Sequence, residues 1–116
     1  MSRIEHLSGE VKGNSCEYLG WLAMEPDAVA ATYGIEFVDT CDGLEELKLA
    51  NVRDVQTGKI FGLSRHLNQS PGSTSIYSVA ETANRAEDLK IFMEMLGIGL
   101  TDLAFVPDDI LVEMKV

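Results

Sequence analysis

The sequence predicts a single α+β domain over residues 1–116, in which a mainly antiparallel sheet is covered on one face by an amphipathic helix. Two apolar-rich runs flank a turn-forming segment, which predicts a central hairpin over about residues 47–66. Apolar residues then recur at helical spacing over about residues 84–96. The 116 residues fit one domain, since a chain of this size buries roughly two-thirds of its unfolded surface.

The first 24 residues give the weakest pattern of the chain. Glycines punctuate this stretch, and a short apolar run follows them. We favour a short hairpin around residues 12–15, with Tyr18 and Trp21 anchoring it to the core. A buried tryptophan usually packs its ring inside the protein while its N–H finds a hydrogen-bond acceptor.

The next segment predicts a helix and then a strand. Residues 26–33 begin with proline, which suits the first helical position, and Gly34 supplies a left-handed stop. Residues 35–39 alternate in the manner of a strand, and residues 40–43 form a turn signal.

The central hairpin has a turn whose chemistry is clear. Asp54 can accept hydrogen bonds from the backbone that follows it, and Gly58 can adopt a positive φ without a steric clash. After the hairpin, residues 67–75 are almost wholly turn formers and predict a loop. Residues 76–79 predict a further short strand.

Residues 84–96 give the strongest helix signal. Asn84 and Glu87 have the spacing of a capping box, and Gly97 stops the helix. The apolar stripe expected to face the sheet, with the first two residues as core candidates, is Leu89, Phe92, Met93 and Leu96.

The C-terminal part of the chain is ambiguous. Residues 99–107 predict a single helical turn. Residues 109–116 follow Pro107 and two aspartates, which would start a helix well. The apolar residues nevertheless alternate, so we expect a strand containing Ile110, Val112, Met114 and Val116.

Charge is the unusual global property of the chain. Nineteen acidic and nine basic residues give a net charge of −10, with an estimated pI near 4.4. Such a field repels phosphate groups, so direct nucleic-acid binding is not expected. It favours encounter with a basic protein, although an acidic surface also serves solubility alone.

Two further features concern location. No apolar run approaches the roughly 20 residues of a membrane span. The first residues also lack the apolar segment of a secretory signal, so a cytoplasmic location is expected.

The sequence shows no catalytic, metal or cofactor signature. His6 and His66 are 60 residues apart without a partner ligand nearby, and residues 39–43 lack the ligand spacing of a calcium loop. A nucleophile elbow and a phosphate-binding glycine loop are also absent. Cys16 and Cys41 have no CxxC spacing, so two ordinary thiols are favoured over a disulfide. We therefore expect no cofactor or metal, and favour a protein that is not an enzyme.

The leading functional hypothesis is a small, acidic, non-catalytic bacterial accessory protein that binds a basic protein partner. Immunity proteins, antitoxins and inhibitors are examples of this class. The hypothesis rests on composition and on the densest run of carboxylates. Those predicted partner-binding residues are Glu36, Asp39, Asp42, Glu45 and Glu46.

Two alternatives stay open. One is a small-molecule-binding domain or minor enzyme with a pocket between sheet and helix, lined by Trp21, Arg65, His66 and Tyr77. The other is a structural subunit of a larger assembly. A homodimer through a sheet edge or the region of Met93 and Met95 is a further expectation.

Overall fold

A seven-stranded sheet and three α-helices form the described part of the chain. The structure, a computed structural model, describes residues 4–7, 17–42, 45–66, 72–79 and 84–114. The elements in chain order are β1 (Ile4–Leu7), β2 (Glu17–Leu22), α1 (Pro26–Tyr33), β3 (Val38–Asp42), β4 (Glu45–Asp54), β5 (Ile60–His66), β6 (Thr74–Ser78), α2 (Arg85–Leu96), a 3-10 turn (Leu100–Asp102), β7 (Leu103–Phe105) and α3 (Asp108–Met114).

The sheet is antiparallel at each strand pair. Its order is β1-β4-β5-β6-β2-β7, and β3 also pairs with β4. Because β5 pairs along the other side of β4, β1 and β3 share one edge of that long strand. The predicted α+β class with a mainly antiparallel sheet is thereby confirmed.

The two strands on the outer edge of β4 are joined to each other by a hydrogen bond. β3 pairs with residues 45–49 of β4, and β1 pairs with residues 51–54. The backbone N–H of Glu36, just before β3, donates to Nε2 of His6 in β1 at 3.2 Å. This contact holds the start of β3 next to the end of β1.

The core lies between the sheet and α2. Leu89 and Phe92 of α2 are fully buried, as are Phe61 of β5 and Ile76 of β6. The rings of Phe61 and Phe92 meet edge to face with centroids 5.3 Å apart, a favoured aromatic geometry. The predicted helical cover of the sheet and its two core residues are confirmed.

The predicted turn of the central hairpin is confirmed in its chemistry. The buried carboxylate of Asp54 accepts hydrogen bonds from the N–H groups of Gln56 and Thr57 at 3.4 and 3.2 Å. It also accepts one from the Thr57 hydroxyl at 2.6 Å. Gly58 has φ 79°, a left-handed conformation that glycine adopts without strain.

Helix ends also follow the predicted signals. α1 has the predicted bounds, and Gly34 follows it with φ 72°. α2 starts where predicted, because the Asn84 side chain accepts a hydrogen bond from the N–H of Glu87 at 3.0 Å. Gly97 ends α2 with φ 71°. The single helical turn expected within residues 99–107 is present at Leu100–Asp102.

The strand expected over residues 109–116 is wrong, because Asp108–Met114 form α3. The alternation of apolar residues is not a burial pattern there, since Val112 is 65% exposed. Ile110 and Met114 instead contact the core four residues apart, which is helical spacing. Two aspartates in the first turn complement the positive end of the helix dipole.

Strand boundaries need smaller corrections. β3 begins at Val38 rather than Ile35, and Ile35, which precedes the strand, is fully buried in the core. β6 begins at Thr74, inside the predicted loop. The predicted hairpin around residues 12–15 and the first part of the loop, residues 67–71, lie outside the described residues.

A buried carboxylate joins α2 to the hairpin strands. Asp88 of α2 is 1% exposed and accepts a hydrogen bond from the Ser78 hydroxyl at 2.8 Å. Its other oxygen lies 3.0 Å from Nζ of Lys59, which precedes β5. Removing the partner of a buried charge leaves its desolvation cost uncompensated. The pair therefore fixes where α2 sits on the sheet.

We expect Lys59→Met to lower the free energy of unfolding by about 1–3 kcal/mol. A fully buried pair loses about 3–5 kcal/mol when one partner is removed, but the Lys59 side chain is 42% exposed, which reduces the effect. Denaturant unfolding measures the change.

Lys48→Met is the matched control for this experiment. Lys48 is 45% exposed, yet its carboxylate partners Asp27 and Asp39 are 91% and 86% exposed. Solvated pairs contribute about 0–1 kcal/mol. Equal effects of the two substitutions would contradict a positioning role for the buried pair.

Candidate functional site

The predicted carboxylate residues come together on one two-stranded segment, which we call the acidic hairpin (residues 36–48). In its register Asp42 lies opposite Glu45, and Asp39 lies opposite Lys48. Glu46 lies opposite Cys41. The side chains of residues 40–42 and 45–47 lie outside the described part of the structure, as does Cys16. The fold thus gathers five acidic residues at one edge of the sheet.

The described carboxylates of the acidic hairpin face solvent. Glu36 and Asp39 are both exposed. Nζ of Lys48 lies 3.7 Å from Asp39 and 3.6 Å from Asp27 of α1, so one ammonium group is shared between two carboxylates. This group of three charges has a net charge of −1.

Five of the six basic side chains in the described part of the chain form ion pairs within it, and Lys90 is the exception. Besides the Lys48 pairs, three more pairs have N–O distances between 2.6 and 3.5 Å, and Arg85 also pairs closely with Asp109. The three are Arg53–Glu5, Lys59–Asp88 and Arg65–Glu25. Since most of the described cations are already paired, the excess charge that an approaching molecule meets is that of carboxylates.

The residues predicted for the alternative ligand pocket are divided between the two faces of the sheet. Tyr77 lies opposite Gly62, on the face away from α2, and Trp21 shares that face. Arg65 belongs to the other face, where its guanidinium donates to the Ser73 carbonyl at 3.2 Å and lies 3.5 Å from Glu25.

Other predicted contact residues are placed as follows. His66 ends β5 opposite Leu47, and its side chain lies outside the described part. Met95 is buried in the core and Met93 packs against it. A homodimer stays a prediction.

An open groove lies between α2 and α3. Its volume is about 310 Å³, and it is lined by Asn84, Ala86, Glu87, Lys90 and Glu113. The lining is largely charged, and the residues predicted for ligand binding lie elsewhere. Within the described residues, no three His, Cys, Asp or Glu side chains converge as a metal-ligating group. None of the described helices combines the length and apolarity that crossing a bilayer requires.

Four aromatic side chains form a surface that the sequence analysis missed, and we call it the aromatic row. It consists of Tyr18, Trp21, Tyr77 and Phe105. The ring of Phe105 lies 5.4 Å from that of Trp21 and 6.4 Å from that of Tyr18, and Tyr18 lies 5.7 Å from Tyr77, between centroids. Phe105 is 44% exposed and the other three are partly exposed.

A β-bulge at Gly20 makes the aromatic row. Tyr18 and Trp21 are three residues apart, so in a regular strand they would face opposite sides of the sheet. The register of β2 against β6 shifts between Tyr18 and Gly20, which returns Trp21 to the face of Tyr18. Gly20 has φ 146°, and a Cβ there would lie 2.5 Å from the carbonyl oxygen of Phe105.

One sequence signal points to the row, although it is not specific. An isolated glycine within a strand marks a bulge or a close approach of another backbone. At Gly20 both occur, because β7 pairs with β2 at this point. The three-residue strand β7, which carries Phe105, is too short for its pattern to be read.

Burial changes the pKa of one tyrosine hydroxyl in the row. Burial raises the pKa of Tyr18 from 10.0 to about 12. Charge repulsion from Tyr77 adds to the rise, and a hydrogen bond with the Trp21 side chain opposes it. Tyr33 also has a raised pKa, because of burial and the nearby Asp102.

We expect Gly20→Ala to lower the free energy of unfolding by about 2 kcal/mol or more, because the new methyl group meets strained φ and the Phe105 carbonyl together. Gly99→Ala is the control, since Gly99 has φ −118° and open space around it. Thermal unfolding and near-UV circular dichroism of Trp21 measure the effects. A fully tolerated Gly20→Ala would contradict the close packing of β2 and β7.

We expect stability to fall as the pH rises from about 10 to 12. The unfolded chain releases the Tyr18 proton near the ordinary pKa of 10.0, whereas the folded chain holds it to about 12. The unfolded state therefore binds fewer protons in this range, which favours unfolding. Tyr18→Phe should flatten the fall, leaving the smaller contribution of Tyr33. Tyrosinate absorbance measures the tyrosine pKa values, and unfolding midpoints measure the stability at each pH. If all three tyrosines had the same ordinary pKa, the expectation would be contradicted.

Comparison with known proteins identifies no relative from which the site could be interpreted. The chain matches no family model, no curated protein and no solved structure. The acidic hairpin and the aromatic row are therefore the features from which a function is argued.

Proposed function

We propose that the protein is a small, non-catalytic accessory protein of bacterial cytoplasm that binds a basic protein partner through the acidic hairpin. Immunity proteins, antitoxins and inhibitors act in this way. The observation that carries the proposal is that five of the six described basic side chains already pair with carboxylates of the chain, while the chain has a net charge of −10.

Electrostatic attraction of this kind acts mainly on encounter. Clustered charge of one sign raises association rates by about 10- to 1000-fold at low ionic strength. Exposed charges are screened beyond about 8–10 Å at physiological salt. A binding surface built from solvated carboxylates therefore predicts association that slows steeply as salt increases.

The position of the acidic hairpin suits contact with a protein surface. β3 lies at the edge of the sheet, and in the described chain its outer side has no strand beside it. Val38 of β3 is 61% exposed next to the carboxylates of Glu36 and Asp39. Interfaces combine a desolvated apolar centre with a polar rim, and Val38 supplies a small apolar contact among the charges.

Charge reversal of the acidic hairpin tests the proposal. The tagged chain and the variant Glu36→Lys/Asp39→Lys are each used to capture proteins from a bacterial lysate at low and high salt. We expect the unchanged chain to retain one basic protein at low salt, less of it at high salt, and the variant to lose it. With the purified partner, the association rate should fall by about tenfold or more in the variant.

Glu94→Lys/Glu113→Lys is the matched control, because it makes the same charge change on α2 and α3. Both residues are exposed and lie toward the C-terminal ends of their helices, where lysine is favourable. The control should keep most of the association rate. Equal loss in both variants would show that net charge alone matters, and unchanged capture by the hairpin variant would refute the proposal.

A further inference from the structure

We propose that the aromatic row and the outer edge of β7 form a second contact surface, which takes an extended arginine-bearing segment of a basic protein. The inference rests on the proposed function, since both assign a basic protein as the partner. It places the contact at the end of the sheet opposite the acidic hairpin, because the strand order runs from β1 and β3 at one side to β7 at the other.

The edge of β7 offers backbone groups to an added strand. β7 pairs with β2 on one side, and along its other side the described residues contain no strand. An extended peptide adds to such an edge through main-chain hydrogen bonds, and its side chains supply the specificity. Phe105, at the end of β7, is 44% exposed, so the ring is available to that peptide.

The rings of the row suit guanidinium groups. Arginine stacks its planar side chain on aromatic faces, and it does so more often than lysine. Alternate side chains of an extended segment lie on one side, roughly 6.6 Å apart. Phe105 is paired with Trp21 across neighbouring strands, so a side chain on this side of the added segment meets the Phe105 ring first, with the Trp21 ring behind it at 5.4 Å.

Carboxylates bracket the same edge and give the charge complementarity. Asp102 immediately precedes β7, and Asp108 and Asp109 follow Pro107 at its other end. All three are exposed, and Asp109 pairs with Arg85. Asp102 also accepts a hydrogen bond from the N–H of Gly99 at 2.9 Å, which leaves its negative charge in place.

A second copy of the chain is a poorer occupant of this surface. Each copy has a net charge of −10, so a dimer would carry −20. Antiparallel pairing of two β7 edges would bring Asp102 of one copy toward Asp108 and Asp109 of the other. Like charges placed across an interface disfavour that partner, whereas a cationic segment meets the same carboxylates favourably.

Trp21 supplies the readout, because it is the only tryptophan of the chain. The probes are three synthetic peptides of equal length that alternate threonine with arginine, lysine or neutral citrulline. Each is titrated at low salt while Trp21 fluorescence and its indole N–H resonance are followed. We expect the arginine peptide to bind about three- to tenfold more tightly than the lysine peptide, and the citrulline peptide to bind weakest.

Phe105→Ala should weaken the arginine peptide by about fivefold and bring the arginine and lysine affinities together. Val112→Ala, at an exposed position on α3 outside the row, should change neither affinity. In the unchanged chain, a shift of the Trp21 indole N–H resonance with the arginine peptide is required, so the test does not depend on the folding of a variant.

Equal affinity for arginine and lysine peptides, or an unmoved Trp21 resonance, would overturn the inference. Concentration-dependent dimerisation that Phe105→Ala abolishes would also overturn it, because the occupant would then be a second copy. The variant Glu36→Lys/Asp39→Lys separates this result from the proposed function. If this variant still binds the arginine peptide more tightly than the lysine peptide, and still captures the basic protein, the proposed function is refuted. The inference about the aromatic row then stands.

Discussion

The scarcity of basic side chains is the constraint that orders this fold. With nine basic residues against nineteen acidic ones, the described ion pairs tend to join different elements rather than neighbours. Arg53 links β4 to β1, and Arg65 links β5 to Glu25 before α1. Arg85 of α2 reaches both Asp109 of α3 and the carbonyl of Tyr18 in β2. Solvated pairs contribute little stability each, so their effect is chiefly to orient elements that the apolar core already holds.

The same constraint separates the fold into a neutralised interior and an acidic exterior. The buried carboxylate of Asp88 has Lys59 and Ser78 as partners, and Asp54 is satisfied by the turn that it closes. Among the described carboxylates of the acidic hairpin, Asp39 lies near Lys48, which also pairs with Asp27 of α1. Buried carboxylates thus have partners, because an unpaired buried charge costs free energy. The excess negative charge is left where water solvates it.

The sequence predicted the local features of this fold better than its long-range ones. Pro26, Gly34 and Gly97 act through their own backbone, and Asn84 caps the N–H of a residue three positions on, so α1 and α2 were predicted nearly to the residue. The Asp54 turn is equally local, and the hairpin it closes followed from it. Apolar alternation near Ile110 failed because burial there depends on packing against α2, which no local pattern records.

The candidate sites show the same division between local and long-range information. The five carboxylates of the acidic hairpin are close in sequence, so their grouping could be predicted, although not that Lys48 would be shared with Asp27. The aromatic row could not be predicted in this way. Tyr77 and Phe105 are 28 positions apart in the chain, and the strand order brings both next to Tyr18. Trp21 was predicted to face the core, and the bulge at Gly20 turns it to the open face instead.

Gly20 therefore shapes the end of the sheet that β2 and β7 form. The bulge lets β7 approach β2 closely, because any side chain at this position would meet the Phe105 carbonyl. It also turns Trp21 to the side of Tyr18, which makes a continuous ring surface beside the new edge. Without the bulge the sheet would end at β2, and the rings would be divided between the two faces. The acidic hairpin at the far side of β4 needs no such irregularity, and its described carboxylates, Glu36 and Asp39, are exposed. One glycine thus sets both the pairing of β7 with β2 and the side of the sheet to which Trp21 turns.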